Sequence, residues 1–143
     1  IRTECCPRRP ENRERAMIGL KEARQVIAAA EEKAREIGQP MNIAVVDAGA
    51  NLVSHVRMDG AWIGSIDISI NKAFTARAFD LPTAEFAKNS QPGEQFFGIH
   101  VSNHGRIMIF AGGIPLRRGG SVIGVSGSQD QPVAEAGAAA FKS

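Results

Sequence analysis

Residues 41–58 read MNIAVVDAGANLVSHVRM. Ile43, Val45 and Val46 form an apolar run, and Leu52, Val53 and Val56 form a second. Between them, Asp47-Ala-Gly-Ala-Asn51 carries turn chemistry. Gly49 tolerates positive φ, and Asp47 and Asn51 can bond nearby backbone. The stretch therefore predicts a β-hairpin. A hairpin joins antiparallel strands, so the chain belongs to the α+β class rather than to a wound α/β sheet.

Upstream, residues 13–37 have helical periodicity. Met17, Leu20, Ala23, Val26 or Ile27, Ala30 and Ala34 recur at three- and four-residue steps, with charged residues largely between them. Gly38 and then Pro40 stop the helix. Downstream, Asp59-Gly60 ends the return strand and Ala61 to Phe79 reads as a second helix. Trp62, Ile63, Ile66, Ile70, Phe74 and Ala78 form its expected core face, and Asp67, Asn71, Lys72 and Arg77 its other face. Thr83 is expected to cap a short turn that follows Pro82. Residues 89–98 read as a loop around Pro92-Gly93. Ile99 to Ser102 is a short strand candidate, Arg106 to Ala111 the strongest strand signal, and Ser121 to Val125 a further strand. Gly112-Gly113-Ile-Pro115 interrupts that pattern. The last helix spans about residues 131–141, with Pro132 in its first turn. The order is α-β-β-α-β-β-β-α.

The formal net charge of the 143 residues is +2. Residues 1–15 hold five arginines and three glutamates, which leaves 12 Lys+Arg and 12 Asp+Glu for the rest. A neutral body argues against nucleic-acid binding, which needs a basic face. The expected division is a leader at 1–15, flexible or added to the natural chain, and one domain at 16–143. Cys5 and Cys6 lie in that leader, and the cysteine-free body suits a reducing, cytoplasmic compartment, with export after loss of a signal peptide as the alternative. No run approaches the ~18 apolar residues of a membrane span.

Four segments are candidates for chemistry. Arg57-Met58-Asp59 at a strand end forms either a carboxylate grip or an ion pair that closes the hairpin. Asp67, Asn71 and Lys72 share roughly one helix face; Lys72 is either an anion binder or base, or part of a solvated face or interface pair. Gly112-Gly113 either lets a ligand approach closely, with Arg117 and Arg118 downstream to hold a carboxylate, or marks a β-bulge or sharp bend. In Ser126-Gly-Ser-Gln-Asp130, the start of the last helix either binds an anion or, as the favoured reading, is capped by Asp130. Phe96 and Phe97 either wall an apolar pocket or plug a subunit interface. His55, His100 and His104 lack zinc-site spacing. No GxSxG elbow is present.

The strings IAVVDAGANLV, RMDGA, SIDISINKAFTA, QPG, RIMIFAGGIPL and VIGVSGS followed by Asp130 occur in order across about residues 16–141. In content and spacing the chain resembles the GlcG/HbpS family, which includes haem-binding proteins and the C-terminal domain of PduO-type proteins. The resemblance implies a profilin-like fold: a five-stranded antiparallel sheet, helices on both faces, and a homo-oligomer. It implies a small-molecule ligand, with haem or another tetrapyrrole first among them. Relatives commonly read GVSGGTxEQD before the last helix, where this chain has the shorter GVSGSQD. Three functions remain open. One is a binding module for a carboxylated apolar ligand, using Arg57, Met58, Asp59, Lys72, Phe96, Phe97, Gly112 and Gly113. The second is an isomerase or tautomerase acting on a hydroxy- or keto-acid, with Arg57, Asp59 and Lys72 as its machinery. The third is a structural oligomer without a ligand.

Overall fold

The computed structural model describes residues 17–128 and 130–141. The leader, both cysteines and the expected start of the first helix lie outside the described residues.

Among the described residues the α-helices and strands are, in order, α1 (Leu20–Glu36), β1 (Asn42–Asp47), β2 (Leu52–Arg57), α2 (Gly64–Phe79), α3 (Thr83–Lys88), β3 (Gly113–Arg118), β4 (Ser121–Ser128) and α4 (Gln131–Ala140), with two 3-10 turns between α3 and β3. The four strands form one antiparallel sheet in the order β2-β1-β4-β3. β1 and β4 are central because both are buried along most of their length, whereas β2 is half-exposed.

Strand alternation divides β1 between two layers. Ile43 and Val45 join Ala23, Val26, Ile27, Ala30 and Val133 in the core beneath α1 and α4. Val46 faces the other way and packs with Ala73, Ala76 and Val125 beneath α2. Helices therefore cover both faces. Burying each large aliphatic side chain stabilises the fold by roughly 1.5–3 kcal/mol, so the first layer dominates. The α1 periodicity is realised from Ala23 onward: Ala23, Val26, Ile27, Ala30 and Ala34 are buried, whereas Met17 and Leu20, expected on the same face, are exposed, and Glu22 Oε2 accepts from the Gly19 N–H at the helix start.

The hairpin turn is organised by one carboxylate. Asp47 Oδ1 accepts from the backbone N–H groups of Gly49 (2.8 Å) and Asn51 (3.0 Å). The positive φ expected at Gly49 falls on Ala50 instead (62°). Gly49 is needed for space: a Cβ there would lie 2.7 Å from Asn51 Nδ2.

The expected strand at 106–111 is not formed, and the described residues contain four strands rather than five. Its backbone is bonded to a helix side chain instead of a neighbouring strand: the Met108 N–H donates to Thr75 Oγ1 (2.9 Å). The strand begins later, at Gly113, and contains the Gly-Ile-Pro stretch expected to break the pattern. β3 is an edge strand, where Pro115 can lack an N–H without loss. Ile99–Val101 is a single 3-10 turn rather than a strand. Thr83 does not cap α3. Pro82 occupies that position, and Thr83 Oγ1 accepts from the Gly113 N–H at 2.9 Å.

The largest departure is α2, which is turned over. Ser65, Ser69, Asn71, Lys72, Ala73, Thr75 and Ala76 are its buried residues. Trp62 and Ile63, expected in the core, are 70% and 74% exposed. Gly127 of β4 explains the inversion. A Cβ on Gly127 would collide with Ser69 O and lie 2.8 Å from Ala73 N. The helix backbone thus sits almost on the sheet, and only small side chains fit between them. The bulky aliphatic face has to point outward.

Candidate functional site

Turning α2 over drives Lys72 inside. Lys72 is 0% exposed, on the side of α2 that faces β3 and β4. Its Nζ lies 4.1 Å from the centre of the Phe110 ring, a cation–π contact. Gly112 makes room for it: a Cβ there would stand 2.8 Å from Nζ and collide with Ser128 O. Gly113 does the same one residue later, where a Cβ would lie 2.6 Å from Lys72 O. The close approach that the glycine pair allows in this structure is thus of Lys72 and the β4 backbone. Burial pulls the Lys72 pKa down to about 8, partly opposed by the negative charge of Asp130.

Phe110 and Asp130 also wall an open cavity of about 320 Å³, completed by Gln39, Met41, Trp62, Ser65 and Ile68. Its surface is mainly apolar, with few polar groups, as small-molecule sites usually are. Asp130 stands at the N-terminus of α4, yet its side chain makes no capping bond, contrary to expectation. The carboxylate acts instead on Lys72. Phe110, Met41, Ser65, Ile68 and Gln39 were not singled out in the sequence. Phe110 was concealed within an apparent strand.

Arg57, Met58 and Asp59 lie apart from that cavity. With Glu31, Arg35 and Val56 they line a more polar cleft of about 360 Å³. Among the described residues, Arg57 forms no hairpin-closing ion pair. Arg57 Nε donates to the Ala61 carbonyl at 3.3 Å, and Asp59 is exposed. That bond anchors Arg57 on Ala61, the residue before Trp62, which lines the apolar cavity. Among the described residues, Arg57 Nη1 and Nη2 make no hydrogen bond.

The Asp67 face does not include Lys72. Asn71 Nδ2 donates to Asp67 Oδ2 (2.7 Å), and Asn71 Oδ1 accepts from Arg106 Nε (3.2 Å). Arg106 stacks on Phe74 at 3.7 Å. Arg117 and Arg118 are engaged away from the glycine pair. Arg117 donates to Asp80 O and Gly120 O, and Arg118 pairs with Glu22. Phe96 stacks on Phe86, which stacks on Phe79, so it props the loop. Phe97 is exposed beside His100. His55 Nε2 is buried without a hydrogen-bond partner, and burial lowers its pKa. Among the described residues, no three His, Cys, Asp or Glu side chains are grouped as metal ligands, and no helix is long and apolar enough to cross a membrane.

A sheet covered on both faces, with an apolar cavity backed by a buried lysine, defines a small α+β domain. A family model described as "Haem degrading protein HbpS-like" matches residues 18–139, and the chain belongs to that family. It is 41% identical over 126 residues to an uncharacterised 15.0 kDa protein of the dhaT-dhaS intergenic region of Citrobacter freundii, covering 84% of this chain and 89% of that one. The Klebsiella pneumoniae protein ORFY, of family DUF336, superposes with a TM-score of 0.84 at 39% identity, covering 87% of this chain and 90% of ORFY. PduOC, solved in complex with haem, gives a TM-score of 0.84 at 30% identity, covering 88% of this chain and 96% of PduOC.

Proposed function

We propose that the chain binds a tetrapyrrole, or a related apolar ligand carrying carboxylates, in the cavity walled by Phe110 and Trp62, with its carboxylates reaching past the Ala61 turn to Arg57. The supporting observation is the apolar cavity with an exposed indole at its edge. Trp62 is 70% exposed and partly walls the cavity, a costly position for an indole unless something covers it. A cavity of about 320 Å³ suits one edge of a macrocycle, with the rest lying against Trp62. The fit of the residues to haem is one of shape and charge. Trp62, Ile68 and Phe110 would cover the ring, and the Arg57 guanidinium, fixed at Nε by Ala61, would present Nη1 and Nη2 to a propionate. Haem in that position would contribute redox-active iron. The chain itself orients the ring, excludes water with Ile68 and Phe110, and balances carboxylate charge. The PduOC–haem complex supports the reading.

Haemin titration tests it. Saturable binding with a Soret shift is expected, weakened about tenfold by Trp62→Ala and by Arg57→Ala, which is the loss of about 1.4 kcal/mol that one aromatic contact or charged hydrogen bond supplies. Unsaturable binding that ignores both substitutions would overturn it.

We also propose a homo-oligomer built on the outer face of α2, where Ile63 is 74% exposed and Ile66 and Ile70 are half-buried. Sedimentation should give an assembly larger than a monomer, and Ile63→Glu should dissociate it. A monomer at micromolar concentration would exclude this arrangement.

A further inference from the structure

Tetrapyrrole binding leaves Lys72 without a chemical role. It is a buried amine behind an aromatic wall, and its carboxylate neighbour shares a cavity with that wall. We propose that Lys72 is a carbonyl-reactive lysine, forming an imine with a small aldehyde that carries an apolar tail and enters through the cavity walled by Trp62, Ile68 and Phe110.

Four observations support it. First, Nζ stands beside Phe110 and close to Gly112, whose missing side chain is what allows it to be there. Second, Phe110 is the wall between ammonium and cavity. It is part-exposed and lies in a segment with no strand or helix, so its ring can swing without breaking a ladder. Third, Asp130 lines the same cavity and acts electrostatically on Lys72, so a carboxylate able to accept a proton faces the space the aldehyde would enter. Fourth, burial lowers the pKa to about 8, so far more of the amine is unprotonated near neutrality than for a surface lysine.

The chemistry balances without an oxidant or reductant. The Nζ lone pair attacks the carbonyl carbon and a C–N bond forms. The carbonyl π pair moves to oxygen, which takes the first of the two Nζ protons through Asp130. Asp130 then accepts the second proton from nitrogen and passes it to the hydroxyl, which leaves as water. The product is a C=N bond to Lys72. The apolar lining selects an alkyl or aryl tail, and the cavity volume limits it to a few carbons beyond the carbonyl.

The test is reductive trapping of the full chain with butanal and cyanoborohydride, read by peptide mass mapping. Lys21, Lys33 and Lys88 are the internal references. Lys72 should be alkylated about tenfold faster than these, because its unprotonated fraction is larger. Phe110→Ala should raise that rate further by uncovering the amine. Asp130→Asn should lower it, because loss of the proton relay outweighs the larger unprotonated fraction, while leaving the reference lysines unchanged. Lys72→Arg, which keeps the cation but cannot form an imine, should abolish the fast adduct. Labelling of the surface lysines alone, in both native chain and Phe110→Ala, would show that Lys72 is a structural cation and overturn the proposal. The tetrapyrrole reading is tested separately, since haemin binding is followed by a Soret band and imine formation by mass.

Discussion

Lys72 Nζ stands 4.1 Å from the centre of the Phe110 ring, and Gly112 packs against the same amine. Two features that look independent in the sequence, a lysine in a helix and a glycine pair about 130 Å of extended chain away at ~3.3 Å per residue, are therefore one structural unit.

Gly112→Ala should disrupt that unit. The new Cβ would lie 2.8 Å from Nζ and collide with the Ser128 carbonyl, at a backbone φ of +126° that L side chains rarely adopt. Strain and overpacking together should cost about 2–4 kcal/mol. Urea denaturation should show the midpoint fall with little change in m. Gly119→Ala, a control at positive φ with open space around it, should cost less.

The stability of the chain should depend on pH through Lys72. Its pKa is about 8 in the fold against 10.5 for the unperturbed side chain. Between these values the unfolded lysine carries a proton that the folded one lacks, so stability rises with pH across that window. The gain from pH 8 to pH 10.5 is about 3 kcal/mol relative to Lys72→Met, in which the contribution is absent. Asp130→Asn should widen the window downward, because Asp130 is the charge holding the value up. Denaturation at several pH values, native against both variants, checks the sign and the size.

The class of fold could be read from Asp47, Gly49 and Asn51, because a hairpin is a local event and its turn bonds are made within five residues. The first helix was legible for the same reason, since the core face of α1 follows its own periodicity. The second helix was not. Periodicity places Trp62, Ile63 and Ile66 together on a face but does not say which face meets the sheet. That choice was made by Gly127, sixty residues away, whose bare backbone admits only Ser69 and Ala73. The segment 106–111 misled for a related reason: its partner is Thr75 Oγ1 on a helix, which no strand pattern announces. The candidate site inherits both effects. Lys72 was visible as a residue, but its burial and its pairing with Phe110 and Asp130 depend on those long-range contacts.

His55 should give the chain a second pH dependence, on the acid side. Its Nε2 is buried without a hydrogen-bond partner, and desolvation lowers its pKa below 6.5. Below pH 6.5 the unfolded chain takes up a proton that the folded imidazole resists. Stability therefore falls as pH drops through 6.5, with a slope of up to about 1.4 kcal/mol per pH unit, until the lowered folded value is passed. His55→Leu should remove that slope while the dependence on Lys72 stays intact. An unchanged acid profile would mean that His55 is solvated in solution.

Thr75→Val isolates the link between α2 and the cavity wall. The Thr75 hydroxyl donates to Asn71 O (2.8 Å) and accepts from the Met108 N–H (2.9 Å). Valine has nearly the same shape, so packing is kept and the Met108 N–H loses its acceptor. An unsatisfied buried donor costs about 1–3 kcal/mol. Because Met108 lies two residues before Phe110, loosening it should also loosen the ring over Lys72. Two readouts should move together: the urea midpoint falls, and the amide of Met108 exchanges faster with deuterium. If the midpoint falls while exchange at Met108 stays native, the hydroxyl stabilises α2 alone and segment 107–112 is held by Ile107, which is buried in the interior.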